Sequence, residues 1–268
     1  MKDKVVLITG ASSGIGKALA LKFAREGSKV VLGARSLEQL AAVGEEIRKA
    51  GGAAHWLSLD VTQQADCERF VAEAVKVFGR VDILVNNAGI SMRALFQDLD
   101  VDVIERVMQV NFFGTVYCTR AAIDQVVQNR GSIIGISSIA GYRGLPGRSG
   151  YSASKFAMHG FLESLRTELL RKGVHVLLAC PGFTESNIRK VALKGDGSQQ
   201  SETPLKEDKL MSAETVADHI YRAVVRRKRS ITLTGQGKLT VFLNKWFPKF
   251  MDKMVFNHFA KEPDSPLR

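Results

Sequence analysis

Short apolar runs alternate with amphipathic stretches along most of this chain. The first run, Val5-Val6-Leu7-Ile8, is followed by a glycine-rich turn and by a segment from Gly14 to Arg25 whose apolar residues recur with the period of a helix. An unbroken apolar run is typical of a buried strand, because a strand that is covered on both faces has no polar side. The pattern therefore predicts a strand, a turn and a helix, in that order.

The same alternation continues to residue 233. We predict strands at Lys4–Thr9, Lys29–Gly33, Ala53–Leu59, Val81–Val85, Ser132–Ser137, Val174–Cys180 and Ile231–Leu233. The predicted helices are Gly14–Arg25, Leu37–Lys49, Gln63–Phe78, Val101–Val127, a helix that contains Tyr151 and ends near Lys172, and Ala213–Arg226. Repeated strand–helix–strand units build a parallel sheet with helices on both faces, and ligands bind at the carboxyl ends of its strands. We therefore predict an α/β fold with a doubly wound parallel sheet of about seven strands.

Two segments depart from this alternation. Residues 183–211 contain a polar, turn-rich stretch, and we interpret them as a mobile loop or lid on a domain of residues 1–235. Residues 236–268 form a C-terminal extension, which Pro248 divides into two helices. Its apolar stripe comprises Leu239, Phe242, Leu243, Trp246, Phe247, Phe250, Met251 and Met254. We favour packing of this stripe on the domain, the lid or a second subunit; the alternative is a basic amphipathic segment that rests on a membrane or forms the wall of an apolar pocket.

The net charge of +11 and the pI near 9.7 make nucleic acid, an anionic membrane surface and an anionic cofactor candidate partners. The densest basic cluster, Arg226-Arg227-Lys228-Arg229, lies at the end of a predicted helix, where cations are favourable in any case. No nucleic-acid-binding motif is recognisable, so we expect no nucleic acid partner. An anionic cofactor and an anionic membrane surface therefore remain as candidate partners.

The cysteines and the apolar runs indicate the cellular compartment in which the protein is expected. Cys67, Cys118 and Cys180 are scattered in apolar segments, so we expect buried thiols and no metal site. No uncharged apolar run reaches the roughly 18 residues of a membrane span, and no signal peptide pattern precedes the first strand. We expect an intracellular, cytoplasmic protein, with attachment to a membrane surface through the C-terminal segment as the alternative.

Two motifs carry candidate chemistry. The turn Gly10-Ala-Ser-Ser-Gly14-Ile-Gly16, between a strand and a helix, lets the backbone approach a pyrophosphate and points helix N–H groups at it. Tyr151 and Lys155 are four residues apart, so they share one face of a helix, and an ammonium beside a phenol lowers the phenol pKa. The first motif indicates a dinucleotide and the second a proton transfer.

These motifs belong to a longer series over nearly the whole chain. The series is Thr9-Gly10-Ala-Ser-Ser-Gly14-Ile-Gly16, Asp60, Asn86-Asn87-Ala88-Gly89, Asn111, Ser138, Tyr151-Ser-Ala-Ser-Lys155 and Pro181-Gly182. In order and spacing it resembles the short-chain dehydrogenase/reductase family. The resemblance implies a single Rossmann domain, a homodimer or homotetramer, and the interconversion of an alcohol and a ketone with NAD(H) or NADP(H).

The resemblance also implies catalytic roles. Tyr151 would act as the general acid in reduction, Lys155 would lower its pKa and hold the nicotinamide ribose, and Ser138 would donate a hydrogen bond to the substrate oxygen. Ser137 is the neighbouring alternative, and the spacing to Tyr151 favours Ser138. Asn111 would hold a water that relays protons to Lys155.

The cofactor contacts follow from the same resemblance. They are Gly10, Ser12, Ser13, Gly14, Ile15, Gly16, Arg35, Ser36, Asp60, Val61, Asn87, Ala88, Gly89, Tyr151, Lys155, Pro181, Gly182, Thr184 and Ser186, with Asn86 beside Gly89 on the adenosine side. Arg35 and Ser36 follow the second strand, where NAD-binding domains place an acid, so NADP(H) is expected over NAD(H). The family's Pro-Gly-x-Val/Ile-x-Thr segment is replaced here by Pro181-Gly-Phe-Thr-Glu-Ser186, which brings a carboxylate near the site.

We accordingly predict an NADP(H)-dependent oxidoreductase that interconverts a ketone and a secondary alcohol. Apolar residues in the lid and tail favour a bulky hydrophobic substrate such as a steroid, retinoid or long-chain lipid: Ile188, Val191, Leu193, Leu239, Phe242 and Trp246. A 3-oxoacyl thioester is the alternative, and a sugar is less favoured. A non-catalytic dinucleotide sensor or a peripheral membrane protein with the same fold is the hypothesis from another class.

Overall fold

Seven parallel strands form the centre of the molecule. They are β1 (Val5–Thr9), β2 (Lys29–Ala34), β3 (Ala53–Ser58), β4 (Ile83–Asn86), β5 (Ser132–Ile136), β6 (His175–Cys180) and β7 (Ser230–Thr232), in the order β3-β2-β1-β4-β5-β6-β7. These positions come from a computed structural model, which describes residues 1–184, 188–200, 210–262, 265 and 267. The predicted α/β class, the parallel sheet and the number of strands are confirmed.

Helices cover both faces of this sheet. They are α1 (Gly14–Arg25), α2 (Leu37–Lys49), α3 (Gln64–Phe78), α4 (Val101–Met108), α5 (Gly114–Gln128), α6 (Ser149–Glu168) and α7 (Ala213–Val225), with α8 (Gly235–Trp246) and α9 (Pro248–Phe259) in the C-terminal extension. The long helix predicted from Val101 is divided, because the π-helix Gln109–Phe113 lies between α4 and α5. The α-helix that contains Tyr151 ends at Glu168, and the 3-10 helix Leu170–Lys172 follows it to the predicted end.

The core consists of two apolar layers, one on each side of the sheet. Side chains alternate along β1, so Val6 and Ile8 face the α1 side and pack in one cluster with Phe23, whereas Val5 and Leu7 face the other side and join a second cluster. All five of these side chains are almost fully buried, and burial of one large apolar side chain contributes roughly 1.5–3 kcal/mol. The sheet is therefore held from both faces.

The three cysteines lie within this buried interior. Cys67, Cys118 and Cys180 are all free thiols with buried side chains, so the expectation of buried thiols is confirmed.

The sheet changes its direction of growth between β1 and β4. The chain proceeds from β1 to β2 and β3 on one side and returns to place β4 on the other side, with Ile8 level with Val85. In doubly wound sheets, ligands bind in the crevice beyond the carboxyl ends of the strands at this reversal. The residues that follow β1 and β4 therefore lie at the place where a ligand is expected.

The C-terminal extension packs on the domain through part of its apolar stripe. Met251, Val255 and Phe259 are buried, and Leu243 packs against them. The stripe residues Leu239, Phe242, Trp246, Phe247 and Phe250 are instead exposed. Among the described residues, no helix combines the length and the apolar character that a membrane span requires.

Candidate active site

The turn after β1 is fixed by the segment that follows β4. The Thr9 hydroxyl oxygen accepts hydrogen bonds from the backbone N–H groups of Asn87 (3.0 Å) and Ala88 (2.9 Å). The Asn87 amide donates in return to the carbonyl oxygens of Thr9 (2.9 Å) and Gly10 (3.1 Å). Gly10 has a φ of +65°, which favours glycine, and a Cβ on Gly16 would collide with the Gly10 carbonyl oxygen. The backbone geometry therefore requires glycine at positions 10 and 16.

This turn leads into the amino terminus of α1, which is suited to an anion. Ser13 precedes the helix without capping it through its side chain, and the first turn of α1 has no acidic residue. Free N–H groups and the positive end of the helix dipole bind phosphate groups well. The glycine turn and the uncapped helix therefore fit the pyrophosphate of a dinucleotide.

One cavity of about 1640 Å³ runs from this turn to the start of α6. With the exception of Asn86, every described residue that the sequence assigned to the cofactor contacts lines it. Ser186, together with Glu185, lies outside the described residues. Asn86 does not line the cavity, because its side chain is buried and its amide donates to Thr119 Oγ1 (3.1 Å). The structure therefore does not bring Asn86 to the cavity together with the other predicted contacts.

The end of β2 presents a cation to this cavity. Arg35 is exposed, lines the cavity and makes no ion pair within the described part of the chain. Ser36 caps α2, since its hydroxyl oxygen accepts from the Gln39 N–H (3.4 Å). Asp60, after β3, uses one carboxylate oxygen to accept from the N–H (3.0 Å) and the hydroxyl (2.8 Å) of Thr62. A guanidinium and a second helix amino terminus thus lie together at this end.

At the opposite end, α6 carries Tyr151 and Lys155 on one face. The Lys155 ammonium nitrogen lies 5.7 Å from the centre of the Tyr151 ring and donates to the carbonyl oxygen of Ile136 (2.9 Å). Lys155 is buried, and both residues line the cavity. The spacing of four residues therefore brings the two groups together as the helix geometry requires.

Burial sets the protonation of both groups. Burial raises the pKa of Tyr151, against the opposing effects of a hydrogen bond with Ser138 and the positive charge of Arg148. Burial also lowers the pKa of Lys155 to about 8. The structure therefore does not show the lowered Tyr151 pKa that was expected from Lys155, because burial raises it instead. Tyr151 is a protonated phenol at neutral pH and can donate a proton.

The two neighbouring serines after β5 point to different partners. The Ser138 hydroxyl acts on the Tyr151 phenol and lowers its pKa, and its oxygen accepts from the Ala140 N–H (3.1 Å). The Ser137 hydroxyl instead lies 2.7 Å from His159 Nε2 in the interior. Ser138 is therefore the serine that the structure brings together with Tyr151.

Asn111 lies in the π-helix and is fully buried. Its side-chain oxygen accepts from the Ile90 N–H (2.8 Å), and its amide nitrogen donates to the Ile90 carbonyl (2.9 Å) and to Ser154 Oγ (2.9 Å). Ser154 Oγ donates in turn to the backbone carbonyl of Tyr151 (2.7 Å). Asn111 does not line the cavity; its side chain links the segment after β4 to α6.

Two arginines that the sequence did not single out, Arg148 and Arg189, act on the phenol. Arg148, directly before α6, lines the cavity, and Glu262 from the end of the chain accepts from its guanidinium (3.1 Å) and from that of Arg93 (3.4 Å). All three side chains are nearly buried. Arg189 also lines the cavity and acts electrostatically on Tyr151. Arg148 could have been found from the sequence, because it lies three residues before Tyr151. Glu262 could not, because it is far from Tyr151 in sequence.

Apolar side chains line the cavity beyond Tyr151. They include Leu145, Phe183, Ile188, Val191 and Leu193. Of the tail residues that were expected to contact substrate, Leu239, Phe242 and Trp246 do not line it. Their α8 positions turn them outward, so the apolar wall comes from the loop after β6 and the segment before α6.

Comparison with known sequences places this geometry in context. Residues 4–196 match the family described as short chain dehydrogenase. A dehydrogenase/reductase SDR family protein 7-like from Drosophila melanogaster is 37% identical over 254 residues, covering 92% of this chain and 78% of that protein. Dehydrogenase/reductase SDR family member 7B from Rattus norvegicus is 34% identical over 273 residues, covering 99% and 84%.

Solved structures resemble the chain over most of its length. A short chain dehydrogenase/reductase from Burkholderia phymatum in complex with NAD superimposes with a TM-score of 0.82 at 26% identity, covering 93% of this chain and 95% of that one. An alcohol dehydrogenase from Thermococcus sibiricus complexed with 5-hydroxy-NADP gives a TM-score of 0.76 at 25% identity, covering 87% and 96%.

Proposed function

The chain belongs to the short-chain dehydrogenase family, and we propose that this member uses NADP(H) to interconvert a ketone and a secondary alcohol. Family membership makes it an oxidoreductase that binds a nicotinamide dinucleotide. The observation that carries the proposal is one cavity that joins the glycine turn after β1 to Tyr151, Ser138 and Lys155. A dinucleotide bound at the turn and a carbonyl group at the phenol would therefore lie in the same cavity.

Proton transfer is the part of the reaction that the chain's own residues perform. Bound NADPH supplies the hydride that reduces the carbonyl carbon. Tyr151 donates its phenolic proton to the carbonyl oxygen, and Ser138 donates a hydrogen bond to the same oxygen. The raised pKa of Tyr151 supports this direction, because the phenol holds its proton until negative charge develops on the substrate.

Lys155 supports this proton transfer electrostatically. A pKa of about 8 leaves most of its side chain as an ammonium at neutral pH. A positive charge beside the phenol stabilises the phenolate that remains after the proton leaves, and it is also placed to hold the nicotinamide ribose. Asn111 is a positioning residue in this proposal, because its hydrogen bonds to Ile90 and Ser154 fix the two walls of the site.

The preference for NADP(H) rests on the end of β2. The exposed Arg35 guanidinium favours the 2′-phosphate that distinguishes NADP(H) from NAD(H). The relatives do not decide this preference, since one similar structure holds NAD and another holds an NADP derivative.

Cofactor kinetics test this preference. We expect kcat/KM with NADPH to exceed that with NADH, and Arg35→Gln to lower the NADPH value by about tenfold to a hundredfold because one charge-assisted contact is lost. Lys49→Gln removes an exposed charge at the far end of α2 and should leave both values unchanged. A wild-type preference for NADH would overturn the NADP(H) assignment.

The substrate that fits the apolar end of the cavity is a bulky hydrophobic ketone. The wall of Leu145, Phe183, Ile188, Val191 and Leu193 supports a steroid, retinoid or long-chain lipid, with a 3-oxoacyl thioester as the alternative. A panel that follows NADPH oxidation with each class, and with a sugar as the polar comparison, decides among them. Highest kcat/KM on the sugar would contradict this assignment.

Assembly is proposed on family grounds. A homodimer or homotetramer is the form that the family resemblance implies, and light scattering on purified protein measures it. A monomer at micromolar concentration would contradict this part of the proposal.

A further inference from the structure

Large apolar side chains project outward from the C-terminal extension, and five of them are more than half exposed. Their exposed fractions are 56% for Leu239, 58% for Phe242, 62% for Trp246, 56% for Phe247 and 58% for Phe250. We call this set the aromatic face. A cluster of this kind exposes more apolar surface than isolated side chains do and is typical of an interaction site.

The helices that carry the aromatic face are fixed on the domain. Met251, Val255 and Phe259 on the other side of α9 are buried. Asn244 on α8 donates to the Tyr142 carbonyl (3.0 Å) and accepts from Arg143 (3.1 Å). Because both helices are attached through these contacts, the aromatic face cannot turn inward without breaking them.

Basic side chains are interleaved with the aromatic face. Lys238, Lys245, Lys249 and Lys253 are all exposed, and the one acidic residue of α8 and α9, Asp252, pairs with Arg143. On α8, spacings of three and four place Phe242 and Trp246 on one side, with Lys238 and Lys245 along its edge. Lysines that border exposed aromatic rings are the arrangement of an amphipathic helix lying on anionic lipid.

We propose that the aromatic face docks the protein on the surface of an anionic lipid bilayer. Apolar rings enter the headgroup region, and the four lysines contact the acidic headgroups. A second copy of the chain is a poorer occupant, because a symmetric contact through this face brings the lysines of one copy against the same lysines of the other. The net charge of +11 adds to the attraction by acidic lipid.

The position of the aromatic face relative to the cavity gives this docking a consequence. Leu145 and Phe183 line the cavity and also pack against the buried side of α8 and α9. The apolar end of the cavity therefore lies next to the helices that contact lipid. An apolar substrate dissolved in the bilayer can enter from that side, although docking itself does not depend on the reaction.

Vesicle flotation of the full chain tests the proposal. With vesicles of phosphatidylcholine and phosphatidylserine the wild-type protein should float, whereas with phosphatidylcholine alone, or at high salt, the bound fraction should fall. Trp246→Ser combined with Phe250→Ser should weaken partitioning by about tenfold or more, and Lys245→Gln combined with Lys249→Gln by about fivefold for each lysine.

A matched pair of leucines controls for general loss of surface hydrophobicity. Leu239→Ser should weaken binding about fivefold, whereas Leu170→Ser should not, although Leu170 is 72% exposed at the opposite end of the sheet. NADPH binding and the thermal unfolding temperature should match wild type in all variants, which shows that the fold is intact.

Two results would overturn the proposal. The first is wild-type protein that floats with neither kind of vesicle. The second is a Trp246→Ser, Phe250→Ser variant that falls from an oligomer to a monomer in light scattering while its vesicle binding equals that of wild type, because a second copy then covers the aromatic face.

Discussion

A buried polar group lies directly behind the proposed catalytic residues. His159 Nε2 is 2.7 Å from the Ser137 hydroxyl and 3.6 Å from the Cys180 thiol, and His159 follows Lys155 by one helical turn. Burial, together with the charge of Lys155, lowers the pKa of His159 to about 4. The histidine is therefore neutral at physiological pH, and it engages the Ser137 hydroxyl in a hydrogen bond in the interior.

This histidine predicts a loss of stability in acid. The unfolded chain binds a proton at His159 near pH 6.5 and the folded chain only near pH 4, so the free energy of unfolding falls as pH decreases between these values. The contribution is up to about 3 kcal/mol. Urea unfolding at pH 7 and pH 4.5 measures it for wild type and for His159→Gln, which keeps a hydrogen-bonding group but does not titrate.

The variant should lose less stability than wild type over this range. His175 is also buried with a lowered pKa, but it is present in both proteins and does not affect the difference between them. Equal losses in the two proteins would show that His159 is not responsible.

Sequence reasoning at the scale of single residues succeeded where spacing along one element determines the contact. The separation of Tyr151 and Lys155 was enough to predict that they meet, because four residues make about one helical turn. The choice of Ser138 over Ser137 is consistent with the effect of Ser138 on the Tyr151 pKa and with the Ser137–His159 hydrogen bond. The contact of Glu262 with Arg148 was not predictable, since it depends on how the end of the chain folds back.

At the scale of elements, the π-helix Gln109–Phe113 is the feature that places Asn111. The wider turn interrupts the helical run between α4 and α5, and the Asn111 side chain bridges Ile90 and Ser154. The apolar period of residues 101–127 could not reveal it, because a single wide turn changes the period by less than the pattern resolves.

Replacement of this asparagine should affect both stability and turnover. Asn111→Leu leaves the Ile90 N–H and carbonyl without their partners, so we expect a loss of about 3 kcal/mol in the free energy of unfolding. We also expect kcat to fall about tenfold or more, because α6 and the segment after β4 lose their link. Denaturant unfolding and steady-state kinetics measure the two effects.

Asn129 provides the control for this experiment. Its amide also makes two hydrogen bonds to carbonyl groups, those of Val81 and Gln125, each 2.9 Å long, but it lies at the end of α5 away from the cavity. Asn129→Leu should reduce stability with no change in kcat. If both variants leave kcat at the wild-type value, Asn111 serves the fold alone and is not a positioning residue.

At the scale of the whole molecule, the alternation of elements was sufficient to predict the sheet and the edge at which the site lies. Parallel strands end at one edge, so the residues after β1, β4, β5 and β6 converge there whatever the details of packing. The burial of the C-terminal extension was not predictable, because an apolar stripe has the same sequence pattern whether it packs on a core or faces outward. In the structure, part of the stripe packs on the domain and the other part faces outward.

The net charge also takes its meaning from the whole molecule. The sequence left an anionic cofactor and an anionic surface as partners for a charge of +11. Arg35 lies at the cofactor end of the cavity, and the exposed lysines of α8 and α9 lie on the outer surface. The anionic cofactor and the anionic lipid surface are therefore proposed to bind at different parts of the molecule, and each proposal has its own test.

The central claim is that Tyr151 transfers the proton in a reaction driven by NADPH. Its most direct test is turnover and NADPH binding of Tyr151→Phe, with Tyr142→Phe as the control, since Tyr142 is a neighbouring phenol that does not line the cavity. We predict that Tyr151→Phe lowers kcat by about 10²–10⁴-fold while NADPH binds within severalfold of wild type, and that Tyr142→Phe keeps its turnover. Turnover of Tyr151→Phe at a rate close to wild type would contradict the account.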